Sequence, residues 1–184
     1  MPARTKTAPA ANPAKAAATR LSLAQVMTAL EKEGSAQTRK TYSRHGAEEP
    51  MFGVSFAFLK TLYKRIGIDH ELALALWDTG NFDARNLAVK IVDPARMSAT
   101  DLDRWAKTRT ASMCHGYVSA LAAESPHGRA KAEAWLVSSD EWLRCTGWLL
   151  VAQMAMSDGT TPASWFAARL TAIDWAPPGE EIDL

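Results

Sequence analysis

Few residues of this sequence have types and spacing that could do covalent chemistry. Cys114 and His115 are adjacent and could be interpreted as a nucleophile and its base. Successive residues of a helix point about 100° apart, so we expect the two side chains not to touch. The sequence has no Ser-His-Asp order, no glycine-rich phosphate loop and no carboxylate cluster, and its two cysteines lack metal-ligand spacing to the histidines. We therefore expect neither a metal site nor a cofactor.

Basic residues gather with tyrosines in two short segments. The segment 39-RKTYSR-44 surrounds Tyr42 with cations, and 60-KTLYKR-65 does the same for Tyr63. The sequence thus concentrates positive charge and aromatic rings locally, although the whole chain carries a formal net charge of only +1.

Two further arginines occupy equivalent places in similar segments. Arg85 lies in 79-TGNFDARNLA-88 and Arg144 in 138-SSDEWLRCTG-147, each a polar turn followed by an aromatic residue, an arginine and a small residue. An arginine near the start of a helix suits phosphate contact, because the unpaired N–H groups and the helix dipole favour an anion there. The alternative for each is a salt bridge, Arg85 with Asp78 or Arg144 with Asp140.

The tryptophans divide into two groups. Trp77, Trp105 and Trp135 lie within apolar stripes and are predicted to be core residues. Trp142 and Trp148 lie six residues apart on one predicted helix and cannot share a face. One of them could stack on a nucleobase, an interaction of roughly 1–3 kcal/mol. Burial of both between helix layers is the alternative.

The elements that position these residues are helices, because from Ser22 onward the apolar period is helical and no run alternates over strand length. The stretches 70-HELALALWDT-79 and 82-FDARNLAVKIV-92, separated by Gly80 and Asn81, predict an antiparallel pair. Similar pairs recur at intervals of roughly 30 residues, which predicts an all-α fold, a HEAT-like α-solenoid. A plain helical bundle is the alternative. The other predicted helices are Ser22–Lys32, Ser35–His45, Ser55–Arg65, Asp101–Lys107, Ala111–Glu124, Gly128–Leu136, Asp140–Met156 and Pro162–Ile173.

Composition predicts one folded domain between two tails. Residues 1–20 contain four cations and no acid and are predicted to be a disordered basic arm that could follow a polyanion. Residues 21–174 form the predicted helical repeat domain, and 175–184 an acidic, proline-containing tail. No run is long enough to cross a bilayer and residues 1–20 lack the apolar centre of a secretory signal, so we expect a cytoplasmic protein.

Several motifs together resemble one known family. They are R-H-G-A and F-G-V-S within residues 42–55, D-H-E-L-A-L-A-L-W at 69–77, and D-E-W-L-R-C-T-G-W at 140–148. The run from Tyr42 to about Met154 is similar to the DNA alkylation repair enzymes of the AlkD type, bacterial alkylpurine DNA glycosylases built of HEAT-like repeats. The resemblance implies a concave, cationic face that holds duplex DNA, with excision of positively charged alkylpurines.

The resemblance also implies where the reaction would occur. Such enzymes place a Trp and, four residues later, an Asp near the lesion, with an Arg of a following repeat on the DNA backbone. Aligned with 110-TASMCHGY-117, these positions hold Ala111 and His115, and the arginine position falls at Cys145. A carboxylate stabilises the developing positive charge of the sugar, whereas a neutral histidine offers less and a protonated one is repulsive. His115 is thus the candidate catalytic residue, with activity expected to be weak, altered or lost.

The leading hypothesis is a DNA-binding protein of the bacterial cytosol or nucleoid that takes duplex DNA, with alkylated DNA as one candidate ligand. The rival hypothesis is a scaffold that binds a protein partner in the same groove. The residues predicted to contact DNA are Arg85, Arg144, Lys64, Arg65, Arg39, Lys40, Arg44 and Trp142.

Overall fold

The computed structural model describes residues 20–109, 112–157 and 159–173, and the side chains of residues 112–115 and 172–173 lie outside that description. The described residues form ten α-helices and one short 3₁₀ helix at Pro94–Arg96, and they contain no strand. The all-α prediction is therefore confirmed. In chain order the helices are α1 (Leu23–Glu33), α2 (Ala36–Arg44), α3 (Phe56–Ile66), α4 (His70–Asp78), α5 (Phe82–Ile91), α6 (Ala99–Lys107), α7 (Ser112–Glu124), α8 (Gly128–Leu136), α9 (Glu141–Ser157) and α10 (Ala163–Ile173).

Side-chain caps fix the helix starts close to where the sequence places them. Ser22 and Gln25 form a reciprocal capping box at the start of α1. Asp69 caps α4, and Asn81 caps α5 by accepting two backbone N–H groups at 3.0 and 3.1 Å. Each such cap stabilises a helix by about 1 kcal/mol. Gly80 precedes Asn81 with a φ of 73°, a conformation that glycine adopts without the cost of a Cβ atom.

The helices are arranged as pairs in two layers. Helix α4 packs on α5, α6 on α7, and α8 on α9, which gives the three predicted consecutive pairs. Helices α3, α5, α7 and α9 also contact one another in series, and we call them the second-helix layer. Helices α4, α6, α8 and α10 form the other side of the stack, the first-helix layer. Each pair therefore completes its core against its neighbours, as in an α-solenoid.

Tryptophans hold the first-helix layer together from inside. Trp77, Trp105 and Trp135 are almost completely buried, as predicted. Trp77 of α4 and Trp105 of α6 stack with their ring centroids 4.1 Å apart and their planes 6° apart. An aromatic pair of this kind contributes about 0.5–1.5 kcal/mol beyond the burial of its surface. The apolar stripes recognised in the sequence thus become the contacts between successive pairs.

A carboxylate in α6 connects that helix to α8. Asp103 accepts the Nζ of Lys131 and the indole N–H of Trp135, both at 2.7 Å. Partial burial raises the pKa of Asp103, but the hydrogen bonds from Lys131 and Trp135, together with the charges of Lys131 and Lys107, hold the pKa below its ordinary value.

Similar links join the neighbouring helices of this layer. Asp78 of α4 pairs with Arg104 of α6. Glu133 of α8 accepts the indole N–H of Trp165 of α10 at 2.8 Å, and this bond lowers the pKa of Glu133. In three successive helices of the first-helix layer, a carboxylate therefore accepts a hydrogen bond from the next helix of that layer.

A buried carboxylate fixes the loop that leads into α3. Asp83 is completely buried and accepts the backbone N–H groups of Phe52, Gly53 and Val54 at 2.7, 3.0 and 2.9 Å. The hydroxyl of Tyr42 donates to the carbonyl of Val54 at 2.8 Å. Burial, followed by the negative charge of Asp83, raises the pKa of Tyr42 to about 12.

One cation assigned to the basic arm belongs to the folded part. The guanidinium of Arg20 makes two hydrogen bonds to the carboxylate of Asp69, at 2.6 and 2.8 Å. This bond raises the pKa of Arg20. Residues 1–19 and the tail at 175–184 lie outside the described residues, so the predicted arm and tail remain predictions.

Replacing Asp83 should test how far the fold depends on its carboxylate. In Asp83→Asn the side-chain NH₂ would face backbone N–H donors, so at least one donor would lose its acceptor. We expect the free energy of unfolding to fall by about 3 kcal/mol or more, measured by urea denaturation. The control Glu48→Gln removes the same charge from an exposed residue of the same loop. Equal stability of the two variants would contradict this role of Asp83.

Candidate nucleic-acid interface

A cavity opens on the second-helix layer where α3, α5 and α7 meet. Its volume is about 250 Å³. It combines two lysines, three aromatic rings, one leucine and one amide. The lining residues are Phe56, Leu59, Lys60, Tyr63, Asn86, Lys90 and Tyr117.

Helical spacing explains why these side chains meet. Lys60 and Tyr63 are three residues apart on α3, and Asn86 and Lys90 are four apart on α5, so each pair lies on one face of its helix. Buried Leu59 and Leu62 hold α3 against the core. The cavity therefore lies between helices whose positions are set by packing.

Lys90 and Tyr117 connect α5 to α7 at the cavity wall. The Nζ of Lys90 lies 3.5 Å from the centroid of the Tyr117 ring. The ring face attracts the ammonium group, typically by about 0.5–1 kcal/mol at an exposed site. The contact therefore holds the ammonium group of Lys90 at the wall of the cavity.

Asn86 supplies a polar group at the same place. Its side chain is only 3% exposed, and its Nδ2 donates to the carbonyl of Phe82 at 2.8 Å. The Oδ1 atom is also buried, and no described protein group donates a hydrogen bond to it. Asn86 is therefore a buried amide in the wall of a cavity that is otherwise lined by two lysines, three aromatic rings and Leu59.

The predicted DNA-binding cations of α2 and α3 lie next to this region in the sequence. Neither helix contains an acid. Arg39 pairs with Glu49 at 2.6 Å, and this hydrogen bond lowers the pKa of Glu49. The other four predicted cations are exposed, Lys40 and Arg44 on α2 and Lys64 and Arg65 in the last turn of α3. Of the lysines in α3, the cavity includes Lys60 and not Lys64.

Arg144 follows the first turn of α9 and turns back to the preceding loop. Its Nη1 donates to the carbonyl of Ser138 at 2.8 Å. The ion pair with Asp140 that the sequence left open does not form, because Asp140 caps α9 by accepting the N–H of Leu143 at 3.3 Å.

Arg85 makes the matching contact in α5. Its Nε donates to the carbonyl of Trp77 at 3.4 Å, and its guanidinium carbon lies 5.3 Å from the centre of the Trp77 ring. Asp78, its suggested partner, pairs with Arg104 instead. Both arginines therefore donate to a backbone carbonyl of their own helix pair. Their equivalence as phosphate-binding residues stays a prediction.

The two tryptophans of α9 have separate surroundings. Trp142 is half-buried and donates its indole N–H to the carbonyl of Ala106 at 3.1 Å. Trp148 lines a second cavity of about 380 Å³ between α9 and α10, which is almost wholly apolar. This bond of Trp142 supports the interpretation that it packs between helices. The prediction that Trp142 stacks on a base is untested.

The predicted catalytic positions are only partly visible. His115 belongs to the first turn of α7, but its side chain lies outside the described residues, as does Ala111. Cys145, at the arginine position, is an exposed free cysteine on α9. Within the described part of the chain, no three His, Cys, Asp or Glu side chains are grouped to hold a metal. No helix there is long and apolar enough to cross a membrane.

Sequence reasoning missed most of the cavity. The sequence marks Lys60 and Tyr63 as members of a basic segment, and it gives no signal for Asn86, Lys90 or Tyr117. A helical-face analysis could have paired Asn86 with Lys90, because they are four residues apart. No pattern in the sequence indicates that Tyr117 meets them, since that contact depends on how α7 packs against α5.

Comparisons with known proteins define first the class and then the family. A solved structure matches with a TM-score of 0.70 and 32% sequence identity, over 83% of this chain and 65% of that one. It belongs to proteins described as a new family related to the HEAT-like repeat DNA glycosylases, with affinity for branched DNA structures. The fold is thus a HEAT-like repeat, as predicted. The family model for DNA alkylation repair enzymes matches residues 26–174, and the chain belongs to that family. A search of curated proteins finds no match.

Arg144→Met should show what the bond to Ser138 contributes. We expect the free energy of unfolding to fall by about 1 kcal/mol, because a partly buried carbonyl loses a charged donor. Thermal and urea denaturation would measure the loss, with Arg44→Met as the control, since Arg44 is exposed. If Arg144→Met has the same free energy of unfolding as Arg44→Met, the bond to Ser138 does not stabilise the fold.

Proposed function

We propose that this chain is a DNA-binding protein whose second-helix layer contacts the nucleic acid, with a preference for branched DNA. The observation that carries the proposal is the cavity between α3, α5 and α7, where Lys60 and Lys90 lie beside aromatic rings. Lysines bind phosphates without reading sequence, and aromatic rings stack on bases. The related protein with affinity for branched DNA supports the choice of ligand. This chain spans 65% of that protein's length.

The distribution of charge is consistent with a polyanionic partner. Asp78, Asp103 and Glu133 are each bonded to a donor within the first-helix layer. Helices α2 and α3 carry only basic charges. A chain that is nearly neutral overall can therefore present a locally positive surface.

The rival proposal, a scaffold that binds a protein partner in the groove, has less support. The cavity of the second-helix layer is mixed in character and contains two lysines and an amide. The apolar cavity lies elsewhere, between α9 and α10. A protein partner would therefore be expected at the end of the stack and not at the basic helices.

Excision of alkylpurines is proposed to be weak or lost. The residues at the family's reacting positions are Ala111, His115 and Cys145, so no carboxylate is available at the aligned position to stabilise the sugar cation.

Neutralising the cavity lysines should weaken DNA binding in a salt-dependent way. For Lys60→Gln/Lys90→Gln we expect the slope of log Kobs against log salt to become shallower by about 1.8, because two phosphate contacts are lost. Fluorescence anisotropy with a four-way junction and with a linear duplex would measure both slopes. The control Lys32→Gln/Lys107→Gln removes two exposed lysines outside α3 and α5. If both double variants behave alike, this layer is not the DNA-binding surface.

An excision assay should test whether glycosylase activity is weak or lost. We expect purified protein to release little or no 7-methylguanine or 3-methyladenine from methylated DNA. The variant Ala111→Trp/His115→Asp restores the family's residues, and we expect it to gain excision, although less than the ~10²–10⁴-fold typical of a positioned acid or base. Circular dichroism must first show that the variant is folded. Rapid release by the unaltered protein would contradict the proposal, and a folded variant that binds DNA but excises nothing would show that the geometry was not preserved.

A further inference from the structure

The cavity between α9 and α10 is an apolar groove at the end of the helix stack. Its volume is about 380 Å³, and Arg169 is the one charged residue among the described residues that line it. Leu170 of α10 also lines it and is 62% exposed, although leucine is apolar. We call this surface the terminal groove. Its other lining residues are Trp148, Val151, Ala152 and Ala155 of α9 and Phe166 of α10.

The repeat architecture explains why this groove is apolar. Its four α9 residues follow one another at intervals of three and four, so they form one face of the helix. In the three preceding pairs a second helix covers the first, α5 on α4, α7 on α6 and α9 on α8. Helix α10 has the place of a first helix, and no described helix follows it. The groove therefore lies where a second helix packs in the earlier pairs, and exposing it to water is unfavourable.

The chain that follows α10 has a sequence suited to cover this groove. It reads 174-DWAPPGEEIDL-184. Ile182 and Leu184 alternate with Glu181 and Asp183, so an extended backbone places the apolar side chains on one side and the carboxylates on the other. A solenoid needs a polar outer face of this kind at its end.

The same segment is long enough to reach along the groove. Only residues 158–162 connect α9 to α10, so the two helices are antiparallel and α10 ends near Trp148. From Trp148 to Ala155 the groove extends about 10 Å, because a helix rises 1.5 Å per residue. The two prolines and the glycine at 177–179 favour a turn in the chain. An extended chain covers about 3.3 Å per residue, so residues 180–184 are sufficient to span the groove.

Charge also favours this segment over a basic one. Arg129 and Arg169 both approach Glu133, at 3.4 and 3.5 Å, and both lie over the ring of Trp165, at 5.9 and 3.4 Å from its centroid. Two cations and one acid give these three ionised side chains a net charge of +1. Residues 180–183 contain three acids and no base, so their charge is opposite to that of the cluster beside the groove.

We propose that residues 174–184 fold back over the terminal groove, with Ile182 and Leu184 against α9 and α10. The acids between them face solvent and the two arginines. Because the segment is attached to α10, its effective concentration at the groove is on the order of millimolar, which favours it over a second copy of the chain. The segment thus covers the apolar end of the stack. The groove contains no residue of α3 or α5, so this inference does not rest on the proposed DNA binding.

Methyl NMR of the unaltered full chain tests the proposal directly. With the Ile, Leu and Val methyl groups labelled, we expect nuclear Overhauser contacts from Ile182 and Leu184 to Val151 and Leu170. A sample that mixes labelled and unlabelled chains separates contacts within one chain from contacts between chains. Contacts found only between chains would place a second copy in the groove and overturn the proposal. The absence of any such contact would overturn it as well.

Two double variants of the segment provide an independent measurement. Ile182→Asn/Leu184→Asn removes the apolar side, and we expect it to lower the melting temperature by about 4 °C or more, because apolar surface is no longer buried. The control Glu181→Gln/Asp183→Asn alters only the polar side and should lower the melting temperature by about 1 °C or less. Circular dichroism during heating measures both. Equal melting temperatures of the two variants would show that the segment does not cover the groove. Either result leaves the proposed DNA binding to its own test.

Discussion

The second-helix layer depends on one buried carboxylate, that of Asp83. It accepts three successive backbone N–H groups at 52–54 and so attaches the loop before α3 to the start of α5. Burying a charge is costly unless hydrogen bonds compensate it, and here the donors belong to the backbone and cannot rotate away. Because α3 carries Lys60 and α5 carries Asn86, the distance between these cavity walls follows from the same contact. A loop that looks like a connector therefore determines the shape of the site.

The two layers have different chemistry although they come from the same repeats. In the first-helix layer, acids are bonded to donors of the next pair and tryptophans stack between pairs. The second-helix layer keeps Lys60 and Lys90 beside its cavity, with Lys90 held against an aromatic ring. Asp78, Asp103 and Glu133 thus bind donors within the first-helix layer, and α3 contributes only basic charges to the other side of the stack. Positive charge can therefore be concentrated locally in a chain whose net charge is only +1.

Much of the fold could be predicted from the sequence because it depends on local signals. Caps such as Asp69 and the glycine before Asn81 mark helix ends, and the apolar stripes containing Trp77 identify the core. The site was less predictable, because it depends on how three helices pack. The partners of Arg85 and Arg144 are backbone carbonyls, and a backbone acceptor has no signature in the sequence. The carboxylates that spacing suggests as their partners, Asp78 and Asp140, bind Arg104 and the N–H of Leu143 instead.

The bonds between neighbouring helices of the first-helix layer determine how far the effect of an amino-acid substitution spreads. Asp103 joins α6 to α8, and Glu133 joins α8 to α10, so each bond connects nearest neighbours only. The stability of such a stack is approximately a sum of neighbour terms, and a disturbance fades along it. The effect of an amino-acid change in one repeat is thus small in repeats further along the stack. Residues that contact a ligand on one pair can therefore diverge in evolution without compensating changes several helices away.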